Sequence, residues 1–528
     1  MSHTDVQELR RSTAKSEIEL YEDSEKQLPA VMTIQASHPL CATGDEETSK
    51  PQTTLQRLTA RLARWGVETN GITPVLPEQR TDRRLYQMFF VWFSANLNIL
   101  TLTAGTVGPA FYGLGIRASL LAILVVDVVT CTIPAFFAVL GPKLGMRGMV
   151  QARFSWGYYG ALIPSTLVTV TLQGYLILNT IVGGQTLGSV SAHLNASLGI
   201  VIIALVTLAV VFSGSRVLHW YNTFIWIPNL VAFITMLGVS GKHLVESPLS
   251  NPTPVGASNI MTFGATLAAS VVNWSPLTPD QGVYHDHTAS ALRIWTYTYS
   301  GLLLSSMPAH MLGAAFTAGA AFNPSWKAGL GNGNDIGGLI AAVLEPAGGF
   351  GKFLVVLLAL TTPSQCAPSM YTACNSFMTL APTFARIPRF FLAIASTAII
   401  IPVAIVGSNT FYSIFSDILG FIGYWLAPYV AVVLVEHVLY RRMRWSCYDV
   451  FEAWDDPKHP NLAPSYCSVI TFVVSVGFIV VCMDKAWWVG PIARAGTGDV
   501  GMLLGFILGI VVYAAVRWWS GRRLIAYT

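Results

Sequence analysis

From residue 87 onward the chain alternates apolar stretches of about 17–30 residues with short polar connectors, and a helix needs ~20 residues to cross the hydrocarbon of a bilayer. The alternation predicts twelve spans, at 87–112, 118–141, 159–188, 198–214, 219–241, 259–281, 295–322, 353–381, 388–408, 411–440, 466–483 and 500–519. A further apolar piece, Gly338 to Ala347, is too short to cross and is expected as a re-entrant or surface helix between spans 7 and 8. Ahead of the first span, residues 1–54 are rich in Ser, Thr, Glu, Asp and Lys without a sustained period and read as a disordered tail. Leu55, Leu58, Leu62 and Trp65 then make a helical apolar stripe beside Arg57, Arg61 and Arg64, a short surface or membrane-interface helix. There is no apolar signal-peptide core near Met1, so insertion is expected to begin at a later span.

Composition agrees with an all-α integral membrane protein. Hydrophobic residues make up 53% of the 528 and charged residues only 11%, less than half of the ~25% usual in soluble domains. Residues 1–86 hold 11 basic and 13 acidic side chains, which leaves 34 of 58 charges for the remaining 442 positions and excludes a soluble enzyme of this size. A net charge of +4 is too small and scattered for a nucleic-acid footprint. The seven cysteines, Cys41, Cys131, Cys366, Cys374, Cys447, Cys467 and Cys482, show neither pairing nor metal spacing.

Basic residues near span ends set the orientation, since they are retained on the cytoplasmic side. They gather before span 1 (Arg80, Arg83, Arg84) and after spans 2 (Lys143, Arg147, Arg153), 4 (Arg216), 6 (Arg293), 8 (Arg386, Arg389), 10 (Arg441, Arg442, Arg444) and 12 (Arg517, Arg522, Arg523). The opposite connectors hold only Arg117, Lys242, Lys327, Lys352, Lys485 and Arg494, so both termini are expected in the cytoplasm.

Spans 1 and 6 carry helix-disrupting residues at mid-membrane: Gly105, Gly108 and Pro109 in the first, Pro276 and Pro279 in the second. They stand five spans apart, at the first position of each half of a 5+5 arrangement, and paired interrupted helices of this kind point to a secondary transporter site between inverted repeats. The organisation is then a tail at 1–86, repeats at 87–241 and 242–442, a cytoplasmic loop at 443–465, two more spans within 466–519 and a tail at 520–528. In span 3, Tyr175 and Asn179 lie one turn apart and offer a ring and an amide on one face. The run from Thr361 to Ser369 in span 8 is too polar, and too broken by Pro363 and Pro368, for a lipid-facing helix and should line a cavity, to which Trp274 adds a flat apolar face. A planar heterocycle held between rings and read by amides fits this set.

Carboxylates at depth are proton-relay candidates, because an unpaired one is costly in the membrane. Asp280, beside the span 6 break, ranks first and Asp127 second; Asp417 is a further member, and Glu436 reads as a solvated or paired end residue near Arg441. The chain has no phosphate-cradling GxxxxGK[ST] run and no HExxH helix, and no cofactor or metal is implied. His285, Asp286 and His287 read as a solvated turn, and Asn195-Ala196-Ser197 is a glycosylation sequon on the outer side.

Three blocks, Trp65 to Asp82 (WGVETNGITPVLPEQRTD), Gly141 to Gly160 (GPKLGMRGMVQARFSWGYYG) and Tyr448 to Pro460 (YDVFEAWDDPKHP), resemble the fungal purine-cytosine permeases, a branch of the nucleobase cation symporter family. The resemblance runs from about Leu62 to the C-terminus and implies the leucine-transporter fold, a 5+5 inverted repeat plus two C-terminal helices with alternating access around spans 1, 3, 6 and 8. It implies substrate contacts at Thr101, Asn179, Trp274 and the span 8 polar run. Tyr175 stands where relatives usually have Trp, and Gln365, Cys366, Ala367, Pro368, Ser369 replaces their Asn-Asn-x-Pro-Asn. Sodium-coupled relatives place hydroxyl ligands one to two turns before the span 8 binding residue, where this chain has Ala359 and Leu360. The resemblance thus implies a plasma-membrane proton symporter for a nucleobase or related flat N-heterocycle; the alternatives are a vitamin or pathway-metabolite carrier and a transport-inactive nutrient sensor.

Overall fold

The helices follow the apolar stretches because a segment in hydrocarbon must satisfy its backbone polar groups internally. The computed structural model describes residues 73–191, 193–212, 224–249, 255–380, 387 and 389–521. The tail at 1–54, the Leu55–Trp65 stripe, Arg216, Arg386, Arg522 and Arg523 lie outside the described residues.

Span 1 is a bent pair, α1 (Tyr86–Asn96) and α2 (Ile99–Tyr112), with 56° between them. Span 2 comprises α3 (Ile116–Thr130) and α4 (Thr132–Leu144), and the next three match α5 (Leu162–Gly188), α6 (Ala196–Phe212) and α7 (Trp226–Glu246). Span 6 begins as α8 (Ala257–Val272), stops, and resumes only as a 3-10 turn at Thr278–Gln281. The rest follow as α9 (Ala291–Gly319), α10 (Ile336–Leu344), α11 (Gly348–Leu380), α12 (Arg389–Gly407), α13 (Phe411–Val435, continuing as a π-turn to Tyr440), α14 (Ser465–Cys482) and α15 (Gly501–Trp519). A short hairpin, β1 (Asp484–Lys485) with β2 (Trp488–Val489), joins α14 to α15.

Six described segments are long and apolar enough to cross a membrane, namely Ile116–Leu144, Leu162–Gly188, Ile336–Cys374, Phe391–Tyr440, Ser465–Cys482 and Gly501–Trp519; α1 with α2 makes a seventh if the bent pair is one span. Large apolar side chains stand outward on several of them, with Val125 62% exposed, Ile399 63% and Val473 62%, as a lipid-facing surface requires and a water-facing one disfavours.

The break in span 1 falls at Leu97 and Asn98, not at Gly105, Gly108 or Pro109, all of which lie inside α2. Asn98 causes it: its backbone is extended (φ −146°, ψ 171°), its Oδ1 accepts from the Thr101 amide at 2.9 Å, and its Nδ2 donates to the Ala95 carbonyl at 2.7 Å. One side chain thereby caps the new helix and ties it to the old one. Gly105 instead permits close approach, since a Cβ there would sit 1.9 Å from the His310 carbonyl oxygen on α9. Pro368 is also no break, because α11 runs through both Pro363 and Pro368; a proline removes one helical bond but need not end a helix that its neighbours hold. In span 6 the chain does leave the helix, and Pro276 and Pro279 lie in the non-α segment that follows.

Two of the sequence blocks explain themselves in this region. Gly148 packs on the carbonyl of Pro276, where a Cβ would approach to 2.0 Å, and residues 75–85 strap the same face: the Val75 amide donates to the Gly145 carbonyl at 2.8 Å, and Arg80 Nη1 donates to the Pro142 and Lys143 carbonyls at 3.0 and 3.2 Å. The piece expected as a re-entrant or surface helix is α10, which is largely buried against α5. Glu436 is paired but not solvated: it is buried between Arg441 (3.4 Å) and Arg517 (3.1 Å). Asp417 is half-buried beside Lys485.

Candidate functional site

The bend in span 1 and the stop in span 6 face each other, and the space between them continues as a cavity bounded by α5, α9, α11 and α13. It encloses about 630 Å³ of non-atom space, open solvent included. Thr101, Tyr175, Asn179, Trp274, Gln365 and Ser369, read from four separate spans, all line it.

Hydrogen bonding fixes what each can offer. The Trp274 indole N–H donates to Asn96 Oδ1 at 2.8 Å, while Asn96 Nδ2 donates to the Trp92 carbonyl at 3.1 Å. Trp92 meets Trp274 edge-on with centroids 5.4 Å apart, so the Trp274 plane is set and its N–H is consumed. Asn179 Nδ2 donates to the Tyr175 carbonyl at 2.9 Å, which leaves Oδ1 and the second amide hydrogen for a ligand. The Tyr175 hydroxyl is buried without a hydrogen-bond partner. Ser369 Oγ donates to the Gln365 carbonyl at 2.9 Å and therefore presents an acceptor to the cavity. Phe415 and Leu419 of α13 and Leu172 of α5 supply apolar wall. The described lining contains no Asp, Glu, Lys or Arg, which suits an uncharged ligand.

His310 also lines this cavity, a residue outside the set expected from the sequence. Its Nδ1 lies 2.8 Å from Asp127 Oδ2, with both residues buried. The sequence carries the signal, because an ionisable side chain deep in a span is a functional candidate whether it is a carboxylate or an imidazole. Asn96, Asn98, Asn273 and Ser306 are further lining residues that the pattern did not single out.

Asp280 does not line the cavity. Its Oδ1 accepts from the Gly148 amide at 2.7 Å, at the start of the short helix Gly148–Gln151. The His285–His287 turn is not simply solvated either. His285 is 6% exposed and pairs through its backbone with Asp82, and burial lowers its basicity, with the Asp82 charge opposing. Asp286 accepts from the amide and hydroxyl of Thr288 at 2.8 and 2.7 Å. Lys485, expected as a connector charge, is buried with Nζ 3.1 Å from the Ser416 carbonyl and 3.4 Å from Asp499.

Residues 74–453 match the family of permeases for cytosine/purines, uracil, thiamine and allantoin. A purine-cytosine permease of Emericella nidulans is 32% identical over 469 residues, covering 88% of this chain and 90% of that protein. A vitamin B6 transporter of Saccharomyces cerevisiae is 26% identical over 523 residues, covering 88% and 90%. Among solved structures, Mhp1, a nucleobase-cation-symport-1 family transporter in a closed conformation with bromovinylhydantoin bound, superposes with a TM-score of 0.64 at 16% identity over 87% of this chain and 97% of that one.

Proposed function

Because the chain belongs to the purine-cytosine permease family of nucleobase cation symporters, and is a membrane transporter rather than an enzyme, we propose that it imports a neutral planar N-heterocycle, of the purine and cytosine class, together with a proton. The observation that carries this reading is the meeting of Thr101, Tyr175, Asn179, Trp274, Gln365 and Ser369 on one cavity, whose described lining holds no Asp, Glu, Lys or Arg, beside two interrupted helices. The Trp274 face stacks the ring, Asn179 and Gln365 read its donor and acceptor edge, and Thr101 and Ser369 complete the polar rim.

In this reading the helices form twelve spans, with the 5+5 inverted repeat at 87–241 and 242–442 and both termini in the cytoplasm of a plasma-membrane carrier. Alternating access then moves the halves about the bends at Leu97–Asn98 and Asn273–Pro276. Of the two carboxylates proposed for coupling, Asp127 is favoured over Asp280 because it reaches the cavity wall through His310.

A vitamin-type heterocycle is the second reading. The likeness to a vitamin B6 transporter favours it, as does the hydroxyl of Ser369 on the cavity wall where relatives carry an amide; Cys366 packs away from the cavity with Leu176 and Met370. Uptake of labelled cytosine, adenine, hypoxanthine and pyridoxine in a transporter-deficient host separates the two. Saturable binding without accumulation, at normal surface delivery, instead identifies a sensor.

A further inference from the structure

The pair His310–Asp127 joins the ligand cavity to a buried charge. Asp127 is 0% and His310 1% exposed; Nδ1 of the imidazole meets Oδ2 at 2.8 Å, so Nε2 is the ring nitrogen left to meet a ligand. The other carboxylate oxygen, Asp127 Oδ1, is buried with no hydrogen-bond partner.

Resting on the transport reading above, we propose that this pair takes up the co-transported proton and that the resulting imidazolium donates from Nε2 to a carbonyl oxygen or pyridine-type nitrogen of the neutral heterocycle. With one proton on the pair the net charge is −1; with two it is zero. A net charge held away from water is costly, and the orphaned Oδ1 leaves it without compensation. The second proton cancels it and turns Nε2 from an acceptor into a donor. Proton and substrate therefore assist one another's binding, as coupled transport requires. On the inner side the substrate leaves, water reaches the pair, and the same proton is released; no covalent bond to the substrate forms.

The surrounding helices supply no nearer charge to do this. α2 carries only Tyr112 and α8 carries no titratable residue; α1 has Tyr86 at its start and α4 has Lys143 at its end. On α3, Arg117 stands ten residues before Asp127, and on α9, Arg293 and Tyr297 precede His310 by thirteen residues or more, in both cases about 15 Å or more along the axis; Tyr299 does reach α3, its hydroxyl donating to the Val128 carbonyl at 3.1 Å, but a phenol carries no charge near neutral pH. Lys242, His243 and Glu246 sit at the end of α7, and Lys327 lies in the short helix after α9. The titratable neighbours of Asp127 are thus Tyr299 and Cys131, the latter a buried thiol one turn along, between α3 and α4. Gly105 sets the spacing of α2 and α9 here, because it lets α2 rest on the His310 carbonyl, and Thr101, one turn before it, lines the same cavity as His310.

The test takes whichever of labelled cytosine, adenine, hypoxanthine or pyridoxine the wild type accumulates and follows it in His310→Gln and Asp127→Asn. Both variants are expected to exchange labelled for unlabelled compound across proteoliposome membranes while losing uphill accumulation. Their affinity is expected to change less than about twofold between about pH 5.5 and pH 7.5, where the wild type changes by about fivefold or more. Asp127→Asn keeps an acceptor for Nδ1 and removes only the charge, so it carries the test if Gln at 310 disturbs folding. Calorimetry of the wild type in buffers of different ionisation heat needs no variant, and substrate binding must take up protons near neutral pH. Uphill accumulation with an intact pH profile in either folded variant, or proton-neutral binding in the wild type, overturns the assignment. Wild-type uptake that is absent for all four compounds, or that follows sodium and ignores pH, overturns the transport reading itself, and the assignment falls with it.

Discussion

The indole N–H of Trp274 donates to Asn96 Oδ1 at 2.8 Å across 178 residues of chain, so the last residue of α1 is latched to the segment that follows α8. The two interruptions on which the cavity depends are thereby one hydrogen-bonded unit. Asn96→Leu leaves a partly buried N–H unsatisfied, a change of about 1–3 kcal/mol. A double-mutant cycle with Trp274→Phe, followed by thermal unfolding in detergent and by substrate affinity, is expected to show coupling of about 0.5–3 kcal/mol. Additive effects would mean that the latch is not energetic.

Selectivity is expected to follow α11. Gln365→Asn with Ser369→Asn restores two of the amides seen in relatives, and an amide donates where Ser369 Oγ, committed to the Gln365 carbonyl, only accepts. Competition uptake is expected to shift toward cytosine and adenine by about tenfold or more, since a site built to pair a ligand edge rejects unpaired analogues strongly. An unchanged ligand ranking at normal expression counts against this.

Asp280 is expected to behave as a tether. Asp280→Asn keeps an oxygen for the Gly148 amide and should retain pH-dependent accumulation, whereas Asp280→Leu should lose surface delivery or transport. Loss of accumulation with intact exchange in Asp280→Asn would return the coupling role to this residue.

Lys485 is held by the Ser416 carbonyl and hydroxyl and lies 3.4 Å from Asp499, which also accepts from the Tyr424 hydroxyl. Removing one member of a buried ion pair strands the other, at about 3–5 kcal/mol. Lys485→Met should therefore lower the melting temperature markedly, and adding Asp499→Asn should recover much of the loss.

His285 gives a pH dependence of stability outside the spans. Burial favours its neutral form in the folded protein, so the unfolded chain binds the extra proton first as pH falls. The stabilisation is complete above the ordinary imidazole value of ~6.5 and is lost as pH drops below it. Melting curves from about pH 7.5 to 5 should decline, and His285→Gln should flatten that part of the decline.

Helix extents, the existence of two interruptions and part of the cavity wall, Thr101, Tyr175, Asn179, Trp274, Gln365 and Ser369, are legible in the sequence, because each is a local property. Apolar run length, proline and glycine placement, and one-turn spacing such as Tyr175 to Asn179 depend on neighbours in the chain. Position along a helix is different from position in space. Gly105 and Pro109 look like a break, yet Asn98 makes it, because the side chain that can cap the second helix decides where the first one stops. Asp280 and Asp127 are equivalent as carboxylates in a sequence, and only packing sends one to the Gly148 amide and the other to an imidazole 183 residues away. His310 acquires its place in the same manner: its depth in a span marks it in the sequence, but only the packing of α2 on its backbone at Gly105 and the pairing of one of its nitrogens with Asp127 give it a site. Long-range pairing is set by which helix faces meet, and that is fixed only when the whole bundle closes.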